Sequence, residues 1–231
     1  MFEIINDYWL FFLIGQYPHG PIGGLAGTLL LATICLILAL PCSILIAIGR
    51  TGKNRFWRGV TFIIVYVMRG TPFLMIIFWA HFLGPIIFGT SIGAFWVMVI
   101  ALVLYESAYL AEVIRAGIES LPYGQTEAAK AMGFSRTKTM TLIVLPQVMY
   151  NSFPALLSQF VSIIKETSLG FVIGVHEFTF AASQVNSILL VQPVQIYAIL
   201  GLTFFIVCFA FTSAARWLER KIGKSQGVSS S

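Results

Sequence analysis

Five mostly apolar stretches of 20 or more residues follow one another along the chain, separated by short polar breaks. They cover about Gly24–Ile48, Val60–Phe88, Gly93–Ile114, Gln147–Ile173 and Val194–Trp217. A helix needs about 20 apolar residues to cross a bilayer, so the pattern predicts an all-α polytopic membrane protein with five transmembrane helices. The second stretch is interrupted at Arg69–Pro72, and Gly84, Pro85, Gly89 and Thr90 make a short uncharged connection. Residues 1–22 are mixed. Trp9, Phe11, Phe12 and Tyr17 predict a segment lying in the membrane interface, broken by Pro18, Gly20 and Pro21. Gly20/Gly24 and Gly23/Gly27 sit four apart, a spacing that suits either a close helix contact or a turn. His176–Gln192 reads as a connection of moderate polarity. The domain plan is an N-terminal interfacial segment (1–22), one membrane domain (23–220) and a tail (221–231).

Composition excludes a soluble domain: 58% of the 231 residues are hydrophobic and 10% are charged. The net charge of +5 is not a nucleic-acid signature, because its distribution matters more than its sum. Twelve of the 14 Lys+Arg residues flank the loop at 50–58, the polar interval after the third stretch, and the tail. The other two, Arg69 and Lys165, lie inside spans, and the opposite connections carry none. The positive-inside rule therefore places the N-terminus outside and the C-terminus in the cytoplasm. Cys35, Cys42 and Cys208 all fall in apolar runs and read as packing residues. His19, His81 and His176 are far apart in sequence and suggest no metal site. Glu3 and Asp7 differ from the basic head of a secretory signal.

The polar interval Gln125–Pro146 carries a more specific pattern. Pro122 suits the first turn of a helix, where a missing N–H is harmless. Glu127–Met132 are good helix formers, and Ala128, Ala129 and Ala131 give a smooth surface. Gly133 is placed to end this helix in a left-handed cap, Ser135 to cap a second short helix, and Pro146 to punctuate entry to the next span. The prediction is a helix–glycine–helix hook.

Glu127-Ala128-Ala129, Gly133 and Ile143-Val144-Leu145-Pro146 together resemble the EAA loop of ABC-importer membrane subunits. Arg69-Gly70-Thr71-Pro72, Glu112–Ile118 and Lys165–Leu169 resemble motifs of the polar amino acid permease branch, including glutamate/aspartate-type permeases. The similarity runs from about Gly24 to Arg220. It implies a type I importer permease architecture in a bacterial inner membrane, with loop 116–146 as the coupling element. Glu127, Ala128, Ala129, Met132 and Gly133 would dock on a separate ABC ATPase. That partner would hold ATP and Mg, so no enzyme activity and no cofactor are expected in this chain. A periplasmic amino-acid-binding protein and a second permease chain, identical or related, complete the implied assembly. Gly223-Lys224-Ser225 is a P-loop fragment only, since Leu218 stands where the motif needs glycine and no strand precedes it.

Ionisable residues inside spans are the second signal, because each costs at least about 2.5 kcal/mol there unless it faces a cavity or a partner. Ser158, Ser162, Lys165 and Glu166 follow an i, i+4, i+7, i+8 pattern, and Tyr105, Ala108, Tyr109 and Glu112 likewise share one helix face on the third span, at i, i+3, i+4, i+7. Arg69, Glu106, Ser162, Lys165, Glu166 and Thr167 are the candidate lining of a substrate path for a zwitterion. Structural pairing is the competing reading: Glu112 with Arg115, and Arg69 snorkelling to the interface or bonding carbonyls freed at Pro72. At the level of function, an ATP-driven amino acid permease subunit competes with an ion-coupled secondary transporter and a non-transporting membrane scaffold. Duplicated halves, expected of many secondary transporters, are not apparent.

Overall fold

The computed structural model describes residues 1–190 and 192–225. The expectations for residues 226–231 lie outside them. Eleven α-helices occur among the described residues: α1 (Phe2–Ile14), α2 (Gly24–Thr51), α3 (Arg55–Gly70), α4 (Phe73–Phe78), α5 (Gly84–Phe88), α6 (Ala94–Ser120), α7 (Tyr123–Ala131), α8 (Arg136–Thr139), α9 (Leu145–Thr167), α10 (Phe178–Leu189) and α11 (Pro193–Ser225). Four segments are long and apolar enough to cross a membrane unaided: Gly24–Thr51, Ala94–Ser120, Arg136–Ile173 and Pro193–Lys221. The fifth predicted span is instead a bent pair, Arg55–Gly70 and Phe73–Ile87, whose halves meet at 104°. The break falls at Thr71-Pro72, where proline can neither donate an N–H nor let the preceding residue stay helical.

The core forms where α2 lies against α6. Along α2, Ala32, Cys35, Ala39, Ser43 and Ala47 recur at helical spacing and are fully buried. Ala101, Ala108 and Ala111 on α6 are equally buried. Small side chains let the two helices approach closely, the packing mode that works where lipid removes the hydrophobic drive between spans. Leu31, Met98, Leu102, Ile163 and Ile164 fill the centre. Towards the hook, Ala47, Ala111 and Ile114 pack on Val144 and Val148.

Two prolines expected to interrupt the chain are absorbed into helix. Pro146 sits in the first turn of α9, immediately after a π-turn at Met140–Val144, so helix runs from Arg136 to Ile173, ending in a 3-10 segment. Pro85 likewise follows a π-turn at Trp79–Leu83. In the first case the Leu145 N–H reaches back to the Met140 carbonyl, five residues away. This wider turn resets the ladder just before the residue that cannot join it.

The interval read as a connection after His176 contains α10, which with α1 closes one end of the bundle. Ile4 and Phe12 of α1 pack on Phe178, Ala182 and Val185 of α10 and on Ile196 and Ile199 of α11. Gly23 and Gly27 make a close approach here, though not to another helix. A Cβ on Gly27 would stand 2.6 Å from the His176 carbonyl oxygen. Thr28 accepts the Phe178 N–H (3.0 Å), and the Glu177 carboxylate caps α10 by accepting from the Thr179 and Phe180 amides, 2.8 Å each.

Candidate functional site

The predicted path residues divide into two groups. On α6, midway along its span, Glu106 is fully buried, and its Oε2 accepts from Gln159 Nε2 of α9 at 2.8 Å. Glu166, two turns beyond Gln159 on α9, places its carboxyl close enough to interact with that of Glu106. Apart from the opposing carboxyl, with which a shared proton can bond, Glu106 Oε1 and Glu166 Oε2 are buried without a partner. No ion pair among the described residues neutralises either carboxyl. Lys165 acts on Glu166 only at longer range, and its side chain is exposed. The predicted polar stripe on α9 is therefore not one surface: Glu166 turns in and Lys165 turns out. Ser158 bonds the Pro154 carbonyl (3.2 Å), and the buried Thr167 bonds the Ile164 carbonyl (2.7 Å), each serving its own helix. Ser162 is half-buried between them.

Tyr105 and Tyr109 pair beside these carboxyls, and Tyr109 also lines a cleft. Their hydroxyls are 3.1 Å apart, and Phe73 stacks on Tyr105 with ring centroids at 4.8 Å. Tyr105 lies in the field of both glutamates, and the Arg69 guanidinium sits over the Tyr109 ring at 5.1 Å. Among the described residues Arg69 makes no hydrogen bond to the carbonyls at Pro72. It borders a cleft of about 520 Å³ shared with Arg50, Tyr66, Tyr109 and Glu112. Glu112 is structurally paired, as one reading of the sequence has it, with Arg115 and, in addition, with Arg50 from α2. Arg115 also reaches Glu119.

The hook has the predicted shape with two corrections. Pro122 precedes the first turn of α7 instead of occupying it. Ala129 is fully buried, so it does not belong to the outer surface of the hook. Tyr123, Glu127, Ala128, Ala131 and Met132 are exposed, Met132 at 68%. Gly133 adopts φ 81°. Its N–H bonds the Lys130 carbonyl (2.9 Å) and that of Phe134 the Ala129 carbonyl (3.0 Å), the paired bonds of a Schellman cap. Ser135 caps α8 through the Lys138 N–H at 3.3 Å. Arg136 ties the hook to the end of α2 by donating to the Thr51 carbonyl at 3.2 Å.

Gln159 and Glu177 were not singled out by sequence. Gln159 carries a usable signal, since it lies seven residues before Glu166 on the same helix face. Glu177 precedes an apolar run at an N-cap position, a weaker cue.

The model of the binding-protein-dependent transport system inner membrane component family matches residues 39–224. The inner membrane amino-acid ABC transporter permease protein YhdY of Escherichia coli (strain K12) is 31% identical over 222 residues, which are 93% of this chain and 60% of that protein. The L-cystine transport system permease protein TcyB of Bacillus subtilis (strain 168) is 34% identical over 202 residues, 87% of this chain and 86% of the other. Among solved structures, one described as an amino acid ABC transporter with histidines superposes with a TM-score of 0.82 at 29% identity, covering 96% of this chain and 98% of that one.

Proposed function

We infer that this chain, which belongs to the family of binding-protein-dependent transport system inner membrane components, is the permease subunit through which an ABC importer passes a basic amino acid. The observation that carries the substrate class is the carboxyl pair of Glu106 and Glu166. Two buried acidic groups, bonded to each other and paired with no cation among the described residues, form a site where an ammonium or guanidinium donor can take the place of the proton they share. A zwitterion brings one positive group, and a basic side chain brings a second. Gln159 orients Glu106, and Tyr105 and Tyr109 offer hydroxyls toward the cleft where Arg69 would meet the α-carboxylate.

The remaining parts of the machine belong to partners. A periplasmic binding protein delivers the amino acid, and a second permease chain, identical or related, encloses the path. The membrane domain (23–220) presents loop 116–146 to an ABC ATPase, with the N-terminus outside and the C-terminus in the cytoplasm. Ala128, Ala131 and Met132 form the contact surface, Glu127 flanks it, and Gly133 sets the exit angle. ATP and Mg stay on the ATPase, where hydrolysis occurs. Nucleotide binding draws two hooks together and shifts the spans between two states.

The test is ATP hydrolysis by the reconstituted complex, purified through a tag on this chain and supplied with binding proteins carrying different amino acids. Stimulation by a basic amino acid, lost in Glu106→Gln, is the expected result. Co-purification of no ATPase would sink the permease reading. Stimulation by acidic or neutral ligands alone, unaffected by Glu106→Gln, would sink the assignment of charge.

A further inference from the structure

A second cleft, of about 530 Å³, opens beside the hook and takes no part in the path just described. It lies where α2, α3 and α6 all end or begin on one side of the bundle and is roofed by α7. Four cations line it: Lys53 in the first loop, Arg58 at the start of α3, Lys130 on α7 and Arg136 on α8. None of the four takes part in an ion pair among the described residues. Arg50 and Glu119, which also border it, are already engaged with Glu112 and Arg115, which leaves Glu127 as the only lining acid free to offset them. The inner wall is apolar, made by Ile118, Leu121, Met140 and Val144.

Cations at a rim above an apolar wall answer to an amphiphile. A small soluble anion would use the charge and leave the wall wet. We propose that this cleft binds the phosphate headgroup of an anionic membrane phospholipid, with the start of its acyl chains against Ile118, Leu121, Met140 and Val144. The headgroup joins the first loop to the hook, adding to the Arg136–Thr51 bond that already spans them. The ends of three spans fix the cleft at the level where phosphates of the bilayer surface lie. That surface is the cytoplasmic one if the topology in the proposed function holds, and the proposal rests on that reading. The outer surface of the hook meets the cleft only at Glu127: Ala128, Ala131 and Met132 do not line it. Lipid and ATPase can therefore be held at once.

The complex of this chain with its ATPase is placed in nanodiscs of phosphatidylcholine with and without phosphatidylglycerol, and the lipids retained after release are counted by native mass spectrometry. Phosphatidylglycerol is expected to be retained in preference to phosphatidylcholine. A cation near a bilayer surface contributes about 1 kcal/mol of attraction, so each removed cation should weaken retention roughly fivefold, and Lys53→Ala with Arg58→Ala together roughly 25-fold. Lys53→Ala alone, in an exposed loop, serves if the double variant does not assemble. Equal retention of the two lipids overturns the proposal. So does displacement of the lipid by inorganic phosphate, which would make the site one for a free anion. Retention seen only after the ATPase is stripped away overturns it too, because an acidic segment of that partner would then be the occupant. If no ATPase co-purifies, the permease reading falls, and the same count on this chain alone still decides what the cleft holds.

Discussion

Glu177 shows how one buried side chain sets a pH response. Its carboxylate is fully enclosed yet spends both oxygens on backbone amides at the start of α10. Burial dominates over those bonds and pushes its pKa up to about 7. An acid whose pKa is higher in the folded than in the unfolded chain holds its proton more tightly when folded. Its contribution is therefore most favourable below about 4.5 and is lost as pH rises toward 7. Melting of the purified protein across that interval should show a falling stability whose slope is reduced in Glu177→Gln. Equal slopes in both would mean that the site is hydrated and the shift absent. Glu112 makes the opposite case, a partly exposed carboxylate held between two guanidinium groups. Glu112→Ala leaves Arg50 and Arg115 facing each other and should cost about 1–3 kcal/mol, read as a lowered melting temperature. A melting temperature equal to that of the unaltered protein would show that the triad contributes nothing net. Sequence made the Glu112–Arg115 pair legible because the two residues are three apart on one helix. Arg50 is 62 positions away, and only packing of α2 on α6 brings it in.

At the scale of elements, short-range chemistry was the readable part. Gly133 and Ser135 do in space what their residue types suggest, because caps are settled by a few neighbouring backbone groups. Pro85 and Pro146 were misread for the same local reason: proline argues for a break, and a π-turn placed just upstream removes the conflict. Three alanines in one turn look alike in sequence, and which of them is covered depends on how the hook folds: Ala129 is buried while Ala128 and Ala131 are exposed. α10 was missed since its apolar face is complemented by α1 and α11, both distant in sequence. The hook yields a clean comparison. At Gly133 a side chain meets open space within this chain, so the effect of substitution on the stability of the chain comes from the left-handed backbone. Gly133→Ala should cost about 1–2 kcal/mol of cap stability and lower ligand-stimulated ATP hydrolysis by the complex. Gly124→Ala, in α7 with open space around it, is the control and should leave hydrolysis intact. Equal behaviour of the two variants would separate the hook from coupling.

For the whole molecule, charge distribution ties fold to orientation. The hook, the first loop and the end of α11 gather 12 of the 14 basic residues, while the turn after α5 and the segment between α9 and α11 hold none. By the positive-inside rule this asymmetry supports the proposed orientation, with the basic end in the cytoplasm. The bent pair α3 and α4–α5 preserves the argument, since it still returns the chain to the side opposite the first loop if it crosses as one span. Should the bent pair fail to cross, α6 would begin on the other side and the hook would face outward, away from ATP. Single cysteines at Thr90 and Ser135 separate the two cases, both being exposed, in a protein whose Cys35, Cys42 and Cys208 are first replaced by serine or alanine. A membrane-impermeant maleimide should label Thr90→Cys in intact cells whose outer envelope is opened, and Ser135→Cys only after the inner membrane is permeabilised. Labelling of Ser135→Cys from outside would invert the topology and remove the coupling role of the hook at once. Labelling of both positions from one side would show that α6, which lies between them, does not cross. If Ser135→Cys is labelled from outside while Thr90→Cys and a cysteine at Lys53 are both protected, the bent pair enters and leaves by one face. The Arg69 cleft is then the mouth of a re-entrant loop, and the path from the carboxyl pair needs a different exit.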